Sequence, residues 1–283
     1  MMDYEIKRLD FSEEQDMDRL IRLQNAVYEG RHVFTRKTFQ FWYLDNPCGR
    51  VLSYNAVRDG ELAAHYALIP MEMNIGGRIA RGLLSMATVT HPAHRGKGLF
   101  KTLARQSYET AREEHYEFVI GVANANSYPG FIKYFDFTDV GQLDVLLGFS
   151  NKVAPSSEKL FSVFRSPEAF RWRIGKPNYM SDGAMVYATR PAWIFKKAPF
   201  VKVMLGGVGD GDVSGLPGCS KLLRPLNLYV GMGSDAGQHG YFHVPKFVKH
   251  SPFHLIFMDL TGGTLPQMTR DNVFFQLLDF DVA

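Results

Sequence analysis

Residues 90–103 are Thr90-His91-Pro92-Ala93-His94-Arg95-Gly96-Lys97-Gly98-Leu99-Phe100-Lys101-Thr102-Leu103. Before it runs a strand-like apolar segment, Arg78 to Thr90. After it Leu99, Phe100, Leu103, Ala104, Ser107, Tyr108 and Ala111 recur at helical spacing, ending near His115. A loop that leaves a strand and opens a helix aims several unpaired backbone N–H groups at one point, where the helix dipole also favours negative charge. Gly96 and Gly98 allow left-handed backbone and close approach of an anion, because no β-carbon intervenes. Hydrogen bonds to a charged group contribute on the order of 1.5–3 kcal/mol each, so three or four amides outweigh the looser attraction of Arg95 and Lys97. The stretch is therefore read as an anion cradle, against the plainer reading of a basic turn that links strand to helix. It fits neither of two common phosphate loops. A Walker loop needs Ser or Thr after its lysine, where this chain has Gly98, and a dinucleotide fingerprint needs glycine where Lys101 stands.

Working outward, Tyr4 to Leu9 predicts a first strand, and Gln15 to Tyr28 an amphipathic helix with Met17, Leu20, Ile21, Leu23 and Val27 on one face and Ser12 as its cap. Arg36 to Leu44, with Phe39, Phe41, Trp42 and Tyr43, predicts a second helix. It stops at Asn46-Pro47, since the residue before proline is pushed out of helical geometry. Leu52 to Arg58 and Leu62 to Met73, joined by Asp59-Gly60, form an antiparallel meander with Arg78 to Thr90, which follows Gly76-Gly77. Downstream, Phe118 to Val122 predicts a short buried strand and Asn124 to Ser127 a turn. Pro129 fits the first turn of another helix leading to Phe137, and Leu143 to Phe149 is strand-like.

Composition agrees with an ordinary globular chain. Its 283 residues allow two domains, at 46% hydrophobic and 22% charged. No apolar run approaches the roughly 20 residues needed to cross a bilayer, so no membrane partner is expected. The opening MMDYEIKRLD has no apolar signal core, which makes the cytoplasm the expected compartment. A net charge of +3 is too slight to argue for nucleic acid. Cys48 and Cys219 are too few for a disulfide framework or a cysteine metal site. His239 to His243 and His250 to His254 repeat a spacing that can serve zinc, but Gly240, Pro245 and Pro252 favour strands and turns over a ligating helix, so no metal is expected.

Ser150 to Lys159, with Pro155-Ser156-Ser157, reads as a linker. Beyond it, Val163-Phe164-Arg165 to Pro177 aligns without gaps on Val33-Phe34-Thr35 to Pro47, with valine, phenylalanine, tryptophan and proline coinciding. Both copies precede strand-like segments, which suggests a diverged repeat, although two unrelated aromatic helices ending at proline would look the same. The later half has no second Arg-Gly-x-Gly and should be chemically silent. Gly206-Gly207-Val208-Gly209-Asp210-Gly211 reads as a flexible loop with no helix behind it to hold a phosphate. The expected domains are 1–149 and 150–283.

The order of meander, His91-Pro92-x-x-Arg95-Gly96-x-Gly98, amphipathic helix, short strand, Asn124-x-x-Ser127 and helix resembles the GNAT superfamily of acyl-CoA-dependent N-acyltransferases, over about residues 3–149. The resemblance implies an α/β fold with a mixed sheet, and a smaller, degenerate GNAT-like second half. It implies that the amides of Arg95, Gly96, Lys97, Gly98, Leu99 and Phe100 bind the pyrophosphate of acetyl-CoA as co-substrate, with Asn124 and Ser127 beside it. Thr88, Val89 and Thr90 would pair with the pantetheine arm, one of their N–H groups polarising the thioester carbonyl. Two positions depart from the family. Phe100 replaces a small residue, and Phe131 stands where a tyrosine often protonates the leaving thiolate, so Tyr128 or Tyr134 would have to substitute.

Attack on the thioester needs a neutral amine, and a base on the facing strand helps remove its proton. His65 and Glu72 lie at opposite parities of that strand unless a bulge near Pro70 intervenes. His65 is the favoured base, against the plain alternative of a hydrogen-bonded core histidine. His91 and His94 flank the loop as turn histidines or phosphate contacts. The expected function is transfer of an acetyl or short acyl group to a small-molecule primary amine. Likeness of Phe170-Arg171-Trp172-Arg173 to C-terminal extensions in the superfamily implies an amino sugar or surface-glycan precursor as acceptor. A non-catalytic acyl-CoA sensor and a long-chain acyltransferase are the competing expectations.

Overall fold

The computed structural model describes residues 4–29, 33–176, 178–188, 201–218, 226–244 and 252–280. The chain opens with β1 (Glu5–Lys7) and α1 (Glu14–Val27). α2 (Arg36–Phe39) continues into a π-helical turn, Gln40–Leu44. The meander β2 (Leu52–Arg58), β3 (Glu61–Ile75) and β4 (Arg78–Thr90) leads through a 3-10 turn, Pro92–His94, to α3 (Leu99–Glu113). β5 (Phe118–Ala123), α4 (Tyr128–Tyr134), β6 (Thr138–Gln142) and β7 (Asp144–Gly148) complete the first half. The second half holds β8 (Phe161–Phe164), α5 (Pro167–Ile174), β9 (Tyr179–Ser181), β10 (Met185–Ala188) and β11 (Val201–Gly207). It continues with β12 (Leu226–Met232), β13 (Phe242–His243), β14 (His254–Asp259), β15 (Val273–Gln276) and α6 (Leu277–Phe280).

Local chemistry explains most of these elements. Asp59 and Gly60 take φ of 51° and 80°, the left-handed pair that a two-residue hairpin demands, and they bring β2 onto β3. α3 buries Leu99, Leu103, Ala104, Ser107, Tyr108 and Ala111 on the face its spacing marks. Each large apolar side chain so placed contributes roughly 1.5–3 kcal/mol. The cap of α1 lies one residue later than expected: Ser12 bonds back to Asp10 and Glu13 holds the cap position without a side-chain bond. The second helix is not uniformly α. A capping box between Thr35 and Thr38 starts it, and it widens into the π turn where Phe41, Trp42 and Tyr43 crowd its circumference.

The strand order is β1-β2-β3-β4-β5-β14-β6 in one sheet and β9-β10-β11-β12-β7-β13 in the other, linked by β3-β8-β15-β12. Corresponding neighbours have the same sense. β4 and β5 run parallel, as do β11 and β12, and the neighbours on either side are antiparallel. The two sheets also exchange a strand. β14 fills the slot between β5 and β6, and β7 fills the slot between β12 and β13. Hydrogen bonding therefore crosses residue 149 in both directions, so 1–149 and 150–283 each complete the other's sheet. Gly206 and Gly207, expected in a loop, end β11, because their bare backbone lets the Gln276 side chain lie against them.

α1, α2 and α5 cover one face of the first sheet, while α3 and α4 cover the other. The expected repeat helices meet. Trp172 stacks on Phe41 at 4.9 Å and meets Trp42 edge-on at 5.5 Å, while its Nε1 donates to the Phe41 carbonyl at 3.0 Å. Among the described residues no helix is long and apolar enough to cross a membrane.

Candidate active site

β4 and β5 are held together only from Gly82–Phe118 to Ser85–Gly121. Beyond that point no described strand pairs with β4 on its β5 side, and Ser85, Met86, Ala87, Thr88 and Thr90 stay half-buried. Diverging parallel strands leave a wedge lined by backbone. At its mouth β4 carries a bulge: His65 faces Val89 but Ala67 faces Met86, so Ala87 and Thr88 together oppose Tyr66. Ala87 has φ of 54°, a left-handed conformation that costs an alanine roughly 1–2 kcal/mol. It is the one non-glycine residue with positive φ inside a strand among the described residues. The bulge is absent from Pro70, which pairs regularly with Leu83, so His65 and Glu72 keep opposite parities.

The loop after β4 has the geometry of an anion cradle. Gly96 and Gly98 have φ of 73° and 74°, and Gly98 caps α3 with no side-chain bond. Among the described residues no acceptor takes the backbone N–H of Gly96, Lys97, Gly98, Leu99, Phe100 or Lys101. A β-carbon on either glycine would meet nothing within 4 Å, so the space beside both glycines is open. Arg95, Lys97 and Lys101 are exposed around it. His91 accepts from the Ala93 N–H, which starts the 3-10 turn, and His94 is tied through Nδ1 to the Tyr4 hydroxyl at 2.9 Å. Partial burial, then the neighbouring His91 and Arg58, hold His94 below its ordinary pKa. Across from the loop, Asn124 closes a turn on the N–H groups of Asn126 and Ser127.

Phe100 lies under the first turn of α3, edge-on to Tyr66, Phe131 and Phe135. Phe131 is buried in that cluster and offers no proton. The two tyrosines of α4 have other partners. The Tyr128 hydroxyl donates to Asp139 at 2.8 Å, and Asp139 sits on β6, two strands away from the opening. That hydrogen bond also raises the Tyr128 pKa, which makes it a poorer acid. Tyr134 is 44% exposed, with the ammonium groups of Lys101 and Lys133 at 5.0 and 5.5 Å from its ring.

The expected base is closed as well. His65 is 1% exposed, its Nε2 shares a hydrogen bond with the Tyr43 hydroxyl at 2.8 Å, and its Nδ1 shares one with Asn55 Oδ1 at 2.7 Å. Burial holds its pKa down to about 3. With both ring nitrogens engaged it cannot take a proton from an amine, and it is a core residue. His254 stood out in the sequence only for its zinc-type spacing, but its Nδ1 lies 3.3 Å from Asp139 and its ring sits 4.2 Å from that of Tyr128. No local signal joins residues so far apart in the chain. His250 lies outside the described residues, and among them no group of three metal-ligating side chains forms.

The second parallel pair starts alike and ends differently. β11 and β12 pair from Val201–Leu226 to Met204–Tyr229, then part. Into this gap come β15 and α6. β15 pairs with β12, Gln276 Oε1 accepts from the Gly207 N–H at 3.1 Å, and Leu278 lies beside Gly206. The second wedge is filled by the protein itself.

A family model described as an acetyltransferase (GNAT) domain matches residues 8–139. Among solved structures, a conserved protein of unknown function from Enterococcus faecalis is similar over 91% of this chain and 73% of its own, at 11% identity and a TM-score of 0.58. A GCN5-related N-acetyltransferase from Kribbella flavida is similar over 90% and 70%, at 12% identity and a TM-score of 0.57. At those identities the likeness is one of fold. No curated protein matches the chain. The splayed strands, the bulge and the glycine-capped helix all fall inside residues 8–139, the stretch that matches the GNAT acetyltransferase domain.

Proposed function

We propose that this protein moves an acetyl or short acyl group from acyl-CoA to a small-molecule primary amine in the cytoplasm. The observation that carries the reading is the row of unspent amides from Gly96 to Lys101 beside the open wedge of β4 and β5. In this reading Arg95, Gly96, Lys97, Gly98, Leu99 and Phe100 hold the pyrophosphate, and Thr88, Val89 and Thr90 hold the pantetheine arm. Donors aimed at the thioester oxygen typically contribute a few kcal/mol to lowering the barrier. Tyr66, fully buried with its hydroxyl on Ser85 and Tyr108, closes the α3 side of the wedge, which favours a short acyl chain. With His65 closed, the amine would enter already neutral or lose its proton to water. The departing thiolate, with an ordinary thiol pKa of about 8.5, would take a proton from water.

The second half is proposed as a diverged copy that covers the acceptor side. The matching strand order and the contact of Trp172 with Trp42 support this. An amino sugar or surface-glycan precursor is the acceptor suggested by family likeness alone. The sensor reading has its own support, since Phe131 is buried and the Tyr128 hydroxyl is spent on Asp139. Release of free coenzyme A from acetyl-CoA over a panel of amino sugars, polyamines and amino acids decides between them. Turnover with any acceptor supports the enzyme. Tight binding with no release across the panel supports the sensor.

A further inference from the structure

The inner face of α1 buries Met17, Leu20 and Leu23, yet it also buries Gln24, which is 1% exposed. A primary amide on an apolar helix face needs a partner, because its donors lose water on burial. Gln24 finds one on the bulge, where its Nε2 donates to the carbonyl of Ala87 at 3.4 Å. Ala87 is the residue held at φ of 54°, and the bulge has taken its peptide out of the regular ladder with β3. A trans peptide is planar, and its C=O and N–H point in opposite directions. Holding the Ala87 carbonyl toward α1 therefore turns the Thr88 N–H, on the same peptide plane, away from α1.

We infer that Gln24 is a positioning residue: through Ala87 it fixes the peptide whose N–H is offered to the thioester carbonyl of bound acyl-CoA. The inference rests on the acyl-CoA reading of this wedge. It explains why a strained alanine persists in a strand, since strain of this kind survives only where the surroundings over-determine it. It also separates Gln24 from the pyrophosphate contacts, which lie on the loop after β4.

The test uses the full chain and acetyl-CoA carrying carbon-13 at the thioester carbonyl, read by isotope-edited infrared difference spectroscopy. In the wild type the carbonyl band should fall below that of free acetyl-CoA, because a hydrogen bond weakens the C=O bond. Gln24→Met keeps the length and the packing but removes the donor. Its band should move by less than half as much, with the acetyl-CoA dissociation constant changed by no more than about threefold, as expected when ground-state binding is spared. Gln24→Leu serves in its place if the methionine variant does not fold. A folded variant whose bound band coincides with the wild-type band overturns the role of Gln24 and leaves the acyl-CoA site standing. A wild-type chain that binds no acetyl-CoA overturns the acyl-CoA site, and the inference with it.

Discussion

β4 with β5 and β11 with β12 are the same construction twice, a parallel pair that is bonded for four residues and then parts. Parting leaves backbone groups without a ladder, and buried backbone groups must find partners somewhere. In the second pair the protein supplies them, through the Gln276 side chain and the pairing of β15 with β12. In the first pair no described strand does so, and the helix that follows starts at a left-handed glycine with open space before it. A wedge without a plug, backed by a helix N-terminus, is a place for a ligand. A wedge with a plug, and with no helix among the described residues between its two strands, is part of a core.

Gly98→Asp puts a carboxylate into the open space before the amides while remaining among the residue types that tolerate left-handed backbone. It should weaken acetyl-CoA binding by at least about 100-fold, or roughly 2.7 kcal/mol, in calorimetric titration. The same titration on the wild type should saturate at one acetyl-CoA per chain, whereas two would mean that the second wedge opens. His65 gives the next largest effect. Its folded pKa of about 3 lies below the unfolded value of about 6.5, so its contribution is complete above pH 6.5 and is lost as pH falls toward 3. Denaturant unfolding should show stability dropping by a few kcal/mol over that window. His65→Asn should flatten the slope, and loss of turnover at neutral pH without loss of fold would restore His65 as a base.

Gly206 tests the plug. A β-carbon there would lie 2.9 Å from Gln276 and 3.0 Å from Leu278, so Gly206→Ala should cost about 1–3 kcal/mol in thermal or denaturant unfolding while acetyl-CoA affinity stays unchanged. The smallest change is expected at the bulge. Ala87→Gly removes the left-handed penalty and should raise stability by up to about 1 kcal/mol. A loss of stability would mean that the alanine side chain matters more than its strain.

What could be read beforehand was local. The loop from His91 to Gly98, the buried face of α3 and the Asp59-Gly60 turn each lie within a few residues, where glycine conformation and helical spacing act directly. The bulge gave no such sign, because Ala87 is neither a glycine nor an asparagine and its backbone is fixed by a helix sixty residues earlier. His65 looked like a base by strand parity, and only the convergence of Tyr43 and Asn55 shows that both nitrogens are taken. The second half's missing Arg-Gly-x-Gly was visible as an absence, but that β15 and α6 occupy the wedge was not. The strand exchange lay furthest out of reach. β14 pairs with β5 through residues more than a hundred positions apart, and no turn signal connects them.

That exchange has a consequence for how the chain is made. A ribosome that has emitted β1 to β6 has emitted a sheet with an empty slot between β5 and β6, since the strand that belongs there is β14. Until residues 254–259 emerge, two strand edges stay bare, and bare edges invite pairing with other chains. Synthesis of this protein should therefore depend on chaperones that shield the nascent first half, and a translational pause before β14 should lower the yield of soluble chain.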